Sequence, residues 1–307
     1  MKPKITIVVP LDLKSKINIG KDLNINEKKI ETIIVRGKNP SENRNSGIKI
    51  AHGKLIGFIN GHTRLTDNWA EEVEKFLLNY PEIDIVGGPQ LTNKEGSLFE
   101  RSSGYALSSY FGAGEVNLRY KQSKINLDAD ETILTSANLI CKKKVFNKIN
   151  FDEKFYPGED PKFISDAKKE GFKVAYSPDI LVYNERRKSF KELAKQIFNY
   201  GKMRPIKESI NETLKKPYFL APTLFLLYLI FLLIYSDYEI IMINKINMLF
   251  FLPLLIYIIL AIVFSIKNGL VNKDVLSMFI MPFIYLTIHL SYGLGFLVSS
   301  ITKYIRK

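Results

Sequence analysis

Two short stretches of this sequence hold side chains capable of chemistry. In Gly158-Glu159-Asp160-Pro161 two carboxylates stand side by side. A carboxylate that faces a substrate hydroxyl can act as a general base. Acids at that place equally suit the first turn of a helix, where they meet free N–H groups and the positive end of the dipole. In Asn60-Gly61-His62 an imidazole follows an amide. Neutral imidazole binds manganese and other transition ions, while Asn-Gly is also a common turn after a strand. Both alternatives stay open on the residues alone. Cys141 is the only cysteine, which excludes an intramolecular disulfide and a thiolate zinc cluster. Within Leu139-Ile140-Cys141 it reads as a small apolar residue in a buried strand.

The elements that must position these groups follow an α/β rhythm. Ile5–Val9, Glu31–Val35 and Leu55–Ile59 are short apolar, β-branched runs ended by Pro10, Arg36-Gly37 and Asn60-Gly61. Apolarity without alternation predicts parallel strands buried on both faces. Ser41–His52 is expected to be a short helix with Ile48 and Ala51 inward, closed by Gly53. A second helix runs from a cap at Asp67-Asn68 to about Asn79, with Val73, Phe76 and Leu77 as its buried stripe. Ile83–Val86 reads as a strand. The stretch from Gly87-Gly88-Pro89 to about Asp130 shows little periodicity, and such a segment is expected to be functional or mobile. Thr132–Cys141 reads as a strand, Lys143–Lys148 and Pro161–Glu170 as helices, and Phe172–Tyr176 as a strand.

Beyond about residue 204 the composition changes. Phe190–Tyr200 is amphipathic, with Leu193, Ile197 and Tyr200 on one face, and is expected to lie at a lipid surface. The apolar runs 218–235, 248–266 and 276–301 follow. At ~1.5 Å per residue each is long enough for a ~30 Å hydrocarbon core. Lys202, Arg204, Lys207, Lys215 and Lys216 precede the first run, as expected of a cytoplasmic flank. Three crossings leave Lys303, Arg306 and Lys307 on the outer face, against that tendency, so two to three spans are expected. His289, in the third run, reads as a packing or interfacial group. The formal net charge is +13, from 44 basic and 31 acidic residues. The basic residues are dispersed among acids rather than gathered in a stripe, which argues against nucleic acid as a partner. No signal peptide is expected, since Ile5–Pro10 has strand character.

Three features in sequence order resemble the family 2 glycosyltransferases of the GT-A fold, over roughly residues 4–204. They are the opening strand ending in Pro10; Asn43-Arg44-Asn45-Ser46-Gly47-Ile48 with Ala51, Gly53 and Leu55–Ile59; and Phe151-Asp152-Glu153-Lys154-Phe155 followed by Gly158-Glu159-Asp160. The resemblance implies a nucleotide-diphospho-sugar transferase domain with a mostly parallel sheet over 1–204, a basic juxtamembrane linker over 205–217, and a membrane domain over 218–307. It implies that Asp160 is the general base for an acceptor hydroxyl, with Glu159 orienting it or contacting the acceptor. Asn60-Gly61-His62 falls where the family has Asp-x-Asp, the carboxylates that hold a divalent metal, Mn or Mg, on the donor. Both carboxylates are missing, leaving His62 and the Asn60 carbonyl as weak candidate ligands.

Pro10, Arg36, Arg44, Asn60 and His62 are the implied donor contacts. Arg36 and Lys38 stand where the family has acids, and as solvated charges or as phosphate contacts they depart from its pattern. Gly87-Gly88-Pro89 and Thr135-Ser136-Ala137-Asn138 are similar to the inner and acceptor-side strands, with Ser136 on the acceptor side. Gln196, Tyr200, Gly201 and Arg204 resemble the Gln-x-x-x-Tyr-Gly-x-x-Arg ending of membrane-associated members that build polysaccharides or lipid-linked glycans. The expected activity is inverting transfer from a nucleotide sugar to a lipid-linked or membrane-proximal acceptor, by an integral membrane protein whose catalytic domain faces the cytoplasm and touches membrane lipids. The degenerate metal motif supports the alternative of a non-catalytic GT-A-like binding or assembly subunit.

Overall fold

The computed structural model describes residues 4–14, 30–155, 158–207, 210–241 and 247–305. The elements in chain order are β1 (Ile5–Leu11), β2 (Ile30–Arg36), α1 (Pro40–Ile50), β3 (Leu55–Ile59), β4 (Thr63–Leu65), α2 (Trp69–Asn79), β5 (Ile85–Gly87) and β6 (Gln90–Thr92). Next come α3 (Leu98–Leu107), α4 (Tyr110–Ala113), β7 (Asn138–Lys142), α5 (Glu159–Lys169), β8 (Val174–Tyr176) and β9 (Val182–Asn184). The chain continues through α6 (Phe190–Lys207), α7 (Ile210–Leu214), α8 (Ala221–Ile241), α9 (Leu252–Asn272) and α10 (Val275–Ile305). Two compact units result: Met1–Asn93 with Glu115–Glu185, and Lys94–Gly114 with Arg186–Lys307.

The first unit is built on a six-stranded sheet of order β2-β1-β3-β7-β5-β8. Its pairings are parallel except those of β7, which runs antiparallel to β3 and β5. The unbroken apolarity of these strands has the expected cause. Val8, Ile56, Phe58, Ile85, Leu139 and Cys141 enter one buried cluster, while Ile7, Val9, Val86, Ile140 and Ala175 enter another. Successive residues therefore face opposite cores. Trp69, at the head of α2, lies over Gly57, where an added Cβ would stand 3.2 Å from the indole ring. The buried indole N–H is satisfied by Asn138 Oδ1 at 3.1 Å, as a buried Trp requires.

A second sheet of three short strands, β4-β9-β6, was not expected from the sequence. Three-residue strands carry too few alternations to show a period. The strand expected over Thr132–Cys141 begins only at Asn138, and the residues before it form the loop that carries Ser136. The two glycines after β5 serve the chain's own backbone: a Cβ on Gly88 would fall 1.8 Å from Ile180 O, and one on Gly87 2.7 Å from Asn138 O.

In the second unit the segment expected to be irregular contains α3, opened by a capping box in which Ser97 and Glu100 satisfy each other's N–H groups. Its run Ser102-Ser103-Gly104 looks like a turn by composition. The hydroxyls instead bond back to Leu98 O and Glu100 O, and their small side chains are buried on a helix packed against α10. The α6 stripe also differs from expectation. Leu193, Ile197, Gly201 and Pro205 are buried while Tyr200 is exposed. α6 packs along α10 through facing glycines, since a Cβ on Gly201 would meet Tyr292 O at 2.2 Å and one on Gly295 would meet Phe198 O at 2.1 Å.

Three helices are long and apolar enough to cross a membrane, over Ala221–Tyr238, Met248–Asn272 and Val275–Lys303. His289 is a packing group, bonded at Nδ1 to Tyr257 and at Nε2 to the Phe111 carbonyl. Lys303 Nζ donates to Pro205 O. The Lys207 side chain, Arg306 and Lys307, invoked for membrane orientation, lie outside the described residues.

Candidate functional site

Parallel pairing brings the carboxyl ends of β1, β2 and β3 to one edge of the sheet, the usual ligand edge of open α/β folds. The antiparallel register Ile59↔Asn138 brings the start of β7 to the same edge. Pro10, Arg36, Asn60 and Ser136 thus stand on one rim.

The rim is joined to α1 and α5. Gly158 precedes α5 with φ +110°, a left-handed conformation that glycine tolerates, and Glu159 and Asp160 occupy the first turn. Ser136 Oγ donates to Asp160 Oδ1 at 2.6 Å. Arg44 reaches the same corner from α1: Nη1 donates to Glu159 Oε1 at 3.0 Å and Nη2 lies 3.5 Å from Asp160 Oδ1. Its guanidinium also sits 5.2 Å from the centre of the Phe151 ring. Arg44, expected among the donor contacts, is paired with both carboxylates.

The two acids differ in setting. The Glu159 side chain is 9% exposed and that of Asp160 21%. Burial, and then the neighbouring Asp160 charge, push the Glu159 carboxyl above the ordinary glutamate range against the pull of Arg44. Its second oxygen accepts from Gly158 N at 3.0 Å. Glu159 is therefore engaged on both oxygens by its own chain.

The residues flanking Arg44 brace the corner, a role the sequence did not disclose. Asn43 Nδ2 donates to Leu11 O and Gly37 O, tying α1 to the ends of β1 and β2. Asn45 Nδ2 donates to Phe151 O and Glu153 Oε1, while Asn45 Oδ1 accepts from Phe151 N. Asn39 caps α1 through Ser41 N and donates to Glu153 O. The signal available was the density of asparagines around Arg44, because buried carboxamides must be bonded at both ends.

At the other end of the rim, Asn60 N donates to Thr63 Oγ1 and the chain turns directly into β4. His62 is exposed on that turn. Arg36, exposed at the end of β2, donates from Nη1 to Asp12 O at 3.4 Å. Among the described residues no group of three or more His, Cys, Asp or Glu side chains is arranged to hold a metal ion. One imidazole and one neutral amide do not match the hard, charged oxygen set a divalent cation prefers, so no chemical step is assigned to an ion here. Gln196, Tyr200 and Arg204 belong to the second unit. Gln196 Nε2 donates to Tyr200 Oη at 3.1 Å, and the Arg204 guanidinium lies 3.4 Å from the centre of the Phe219 ring.

These features define a nucleotide-sugar-transferase-like α/β domain with an acid-bearing helix at its ligand edge, joined to a helical unit with candidate membrane spans. The family model described as glycosyltransferase like family 2 matches residues 26–199, more than half of the chain, and the chain belongs to that family. The mannosyltransferase PcManGT from Pyrobaculum calidifontis, solved with GDP-Man and Mn2+, superposes with a TM-score of 0.50 at 10% identity, covering 99% of this chain and 88% of that one. That likeness concerns the fold alone. S. aureus TarS (1-349) aligns with a TM-score of 0.40 at 14% identity, over 64% of this chain and 64% of its own length. No curated protein sequence matches the chain.

Proposed function

We propose that this glycosyltransferase moves a sugar, with inversion, from a nucleotide-sugar donor to a lipid-linked or membrane-proximal acceptor, and that Asp160 is the base. The observation that carries the reading is the corner itself. Ser136 and Arg44 both engage Asp160 Oδ1, which restrains the rotation of the carboxylate and supports Oδ2 as the atom that meets the acceptor hydroxyl. That hydroxyl loses its proton to Asp160 as its oxygen attacks the anomeric carbon, and the bond to the nucleoside diphosphate breaks on the opposite face. Glu159 does not touch the acceptor in this scheme; it positions Arg44 and Asp160.

Pro10, Arg36, Asn60 and His62 form the proposed donor side. His62 and Asn60 would hold a divalent ion less tightly than two carboxylates would. The three candidate spans support an integral membrane enzyme, and Lys202, Arg204, Lys215 and Lys216 before the first of them support a cytoplasmic catalytic domain. Gln196, Tyr200 and Arg204 on α6 are the proposed contacts of a lipid-borne acceptor. The functional division at residues 204 and 217 belongs to the same proposal.

The test is transfer of radiolabelled sugars on isolated membranes, with identification of the labelled lipid. Asp160→Asn is expected to lower kcat by about 10²–10⁴-fold while the protein melts as the wild type does. Wild-type turnover in that variant would remove Asp160 from the mechanism. Calorimetry with a panel of nucleotide sugars, with and without manganese, separates an enzyme from a binding subunit, which would take up none of them.

A further inference from the structure

The three-stranded sheet carries a hydrogen-bond chain, buried at its centre, that runs from the donor turn to the loop bearing Ser136. The Asn60 N–H donates to Thr63 Oγ1 at 3.2 Å, and Thr63 donates to Asn184 Oδ1 at 2.5 Å. Asn184 Nδ2 donates to Gln90 Oε1 at 3.0 Å, and Gln90 Nε2 donates to Thr135 Oγ1 at 2.6 Å. Each strand supplies one member: Thr63 on β4, Asn184 on β9 and Gln90 on β6. These three residues are 1%, 4% and 7% exposed.

A main-chain N–H can only donate, so the Thr63 hydroxyl accepts from Asn60, and its own proton goes to Asn184 Oδ1. Asn184 accepts on its oxygen and donates from its nitrogen, and Gln90 repeats the pattern. Thr135 adjoins Ser136, whose hydroxyl holds Asp160. Replacing all members of such a chain by apolar residues of the same shape can be nearly neutral for stability. A fully satisfied buried network does, however, confine its members to one arrangement.

We infer that Thr63, Asn184, Gln90 and Thr135 are positioning residues that hold the donor turn and the base at a fixed spacing. The inference rests on the reading of Asn60-Gly61-His62 as the donor turn and of Asp160 as the base. A misplacement of about 1 Å between reacting groups lowers the rate on the order of 10²-fold. Donor binding in the ground state depends far less on where the base stands.

The experiment uses the full-length enzyme with Thr63→Val, Thr135→Val, the double variant and Thr63→Ser. Each valine variant is expected to lower kcat about 10- to 100-fold with donor KM within about 3-fold of wild type. The double variant is expected to be no slower than the worse single one, because either cut breaks the same chain. Thr63→Ser restores the rate. Amide hydrogen exchange at Asn60 is expected to rise in Thr135→Val, at the far end of the chain. Multiplying rate effects, or unchanged exchange at Asn60 in Thr135→Val, overturns the inference. If the wild type uses no nucleotide sugar, the proposed function fails instead, and the exchange measurement still decides the chain.

Discussion

At one end of the ligand rim Arg44, Glu159, Asp160 and Ser136 are bonded to one another, and Asn43 and Asn45 tie the helix behind them to three further segments. At the other end Asn60 is held through its main chain while His62 and Arg36 are exposed. The base corner thus consists of ionic side chains drawn out of water and cross-braced. The turn at Asn60 consists of backbone held by a neutral hydroxyl, with His62 exposed. Desolvated charges depend on one another, so removing the cation at the corner strikes fold and rate together. A change of an exposed side chain at the turn is expected to alter donor binding and leave the fold intact.

The largest break in that contrast is Arg44→Met. It leaves two adjacent carboxylates without their cation, and removing one partner of a buried ionic group costs about 3–5 kcal/mol. For a domain of this size that lowers the melting temperature on the order of 10 °C, and turnover should be lost with it. Thermal unfolding of the purified protein checks this; a variant melting beside the wild type would show that the corner is not an interdependent charge cluster.

Glu159→Gln sharpens the contrast by separating stability from rate. An acid whose carboxyl is raised in the folded state contributes its full share of stability below the unfolded value of ~4.3 and loses it as pH rises through the folded value. Above the folded value the ionised form therefore costs the fold stability relative to the protonated one. Glutamine keeps an oxygen toward Arg44 and leaves one cation with one carboxylate. The variant should melt at or above the wild-type temperature at pH 7–8, with any advantage fading toward pH 4, yet turn over about tenfold more slowly because Asp160 is less firmly oriented. Melting curves across that pH range decide it, and a variant that weakens as pH rises contradicts the assigned direction.

The same contrast governs how far the sequence could be read. β1, β2, β3 and α2 were legible because their patterns are set by local residues facing a core: Ile7 and Val8 are apolar whichever side they face. Asp160 and Ser136 were reached through motif resemblance, and the 2.6 Å bond between them spans 24 residues of sequence. The pairing of Arg44 with Glu159 was not legible because the two lie 115 residues apart; nothing near an arginine reveals which distant acid the fold will bring to it. α3 was missed for a related reason. Its serines and glycine look like a turn until α10 packs against them, and local propensity yields to tertiary packing.

The smallest expected effect is at the donor turn, in His62→Ala. The side chain is exposed, so the melting temperature and the base corner should be unaffected. A single neutral contact to the donor or to an ion is worth about 0.5–1.5 kcal/mol, which corresponds to a rise in donor KM of about 2- to 12-fold with kcat nearly constant. A chelator distinguishes the two origins. If it brings the wild type to the level of His62→Ala and leaves the variant unchanged, the imidazole acts through a cation. If the difference survives chelation, the imidazole meets the donor itself. A loss of kcat on the scale of Asp160→Asn would reverse the contrast, because the catalytic demand would then rest on the turn rather than on the braced carboxylates.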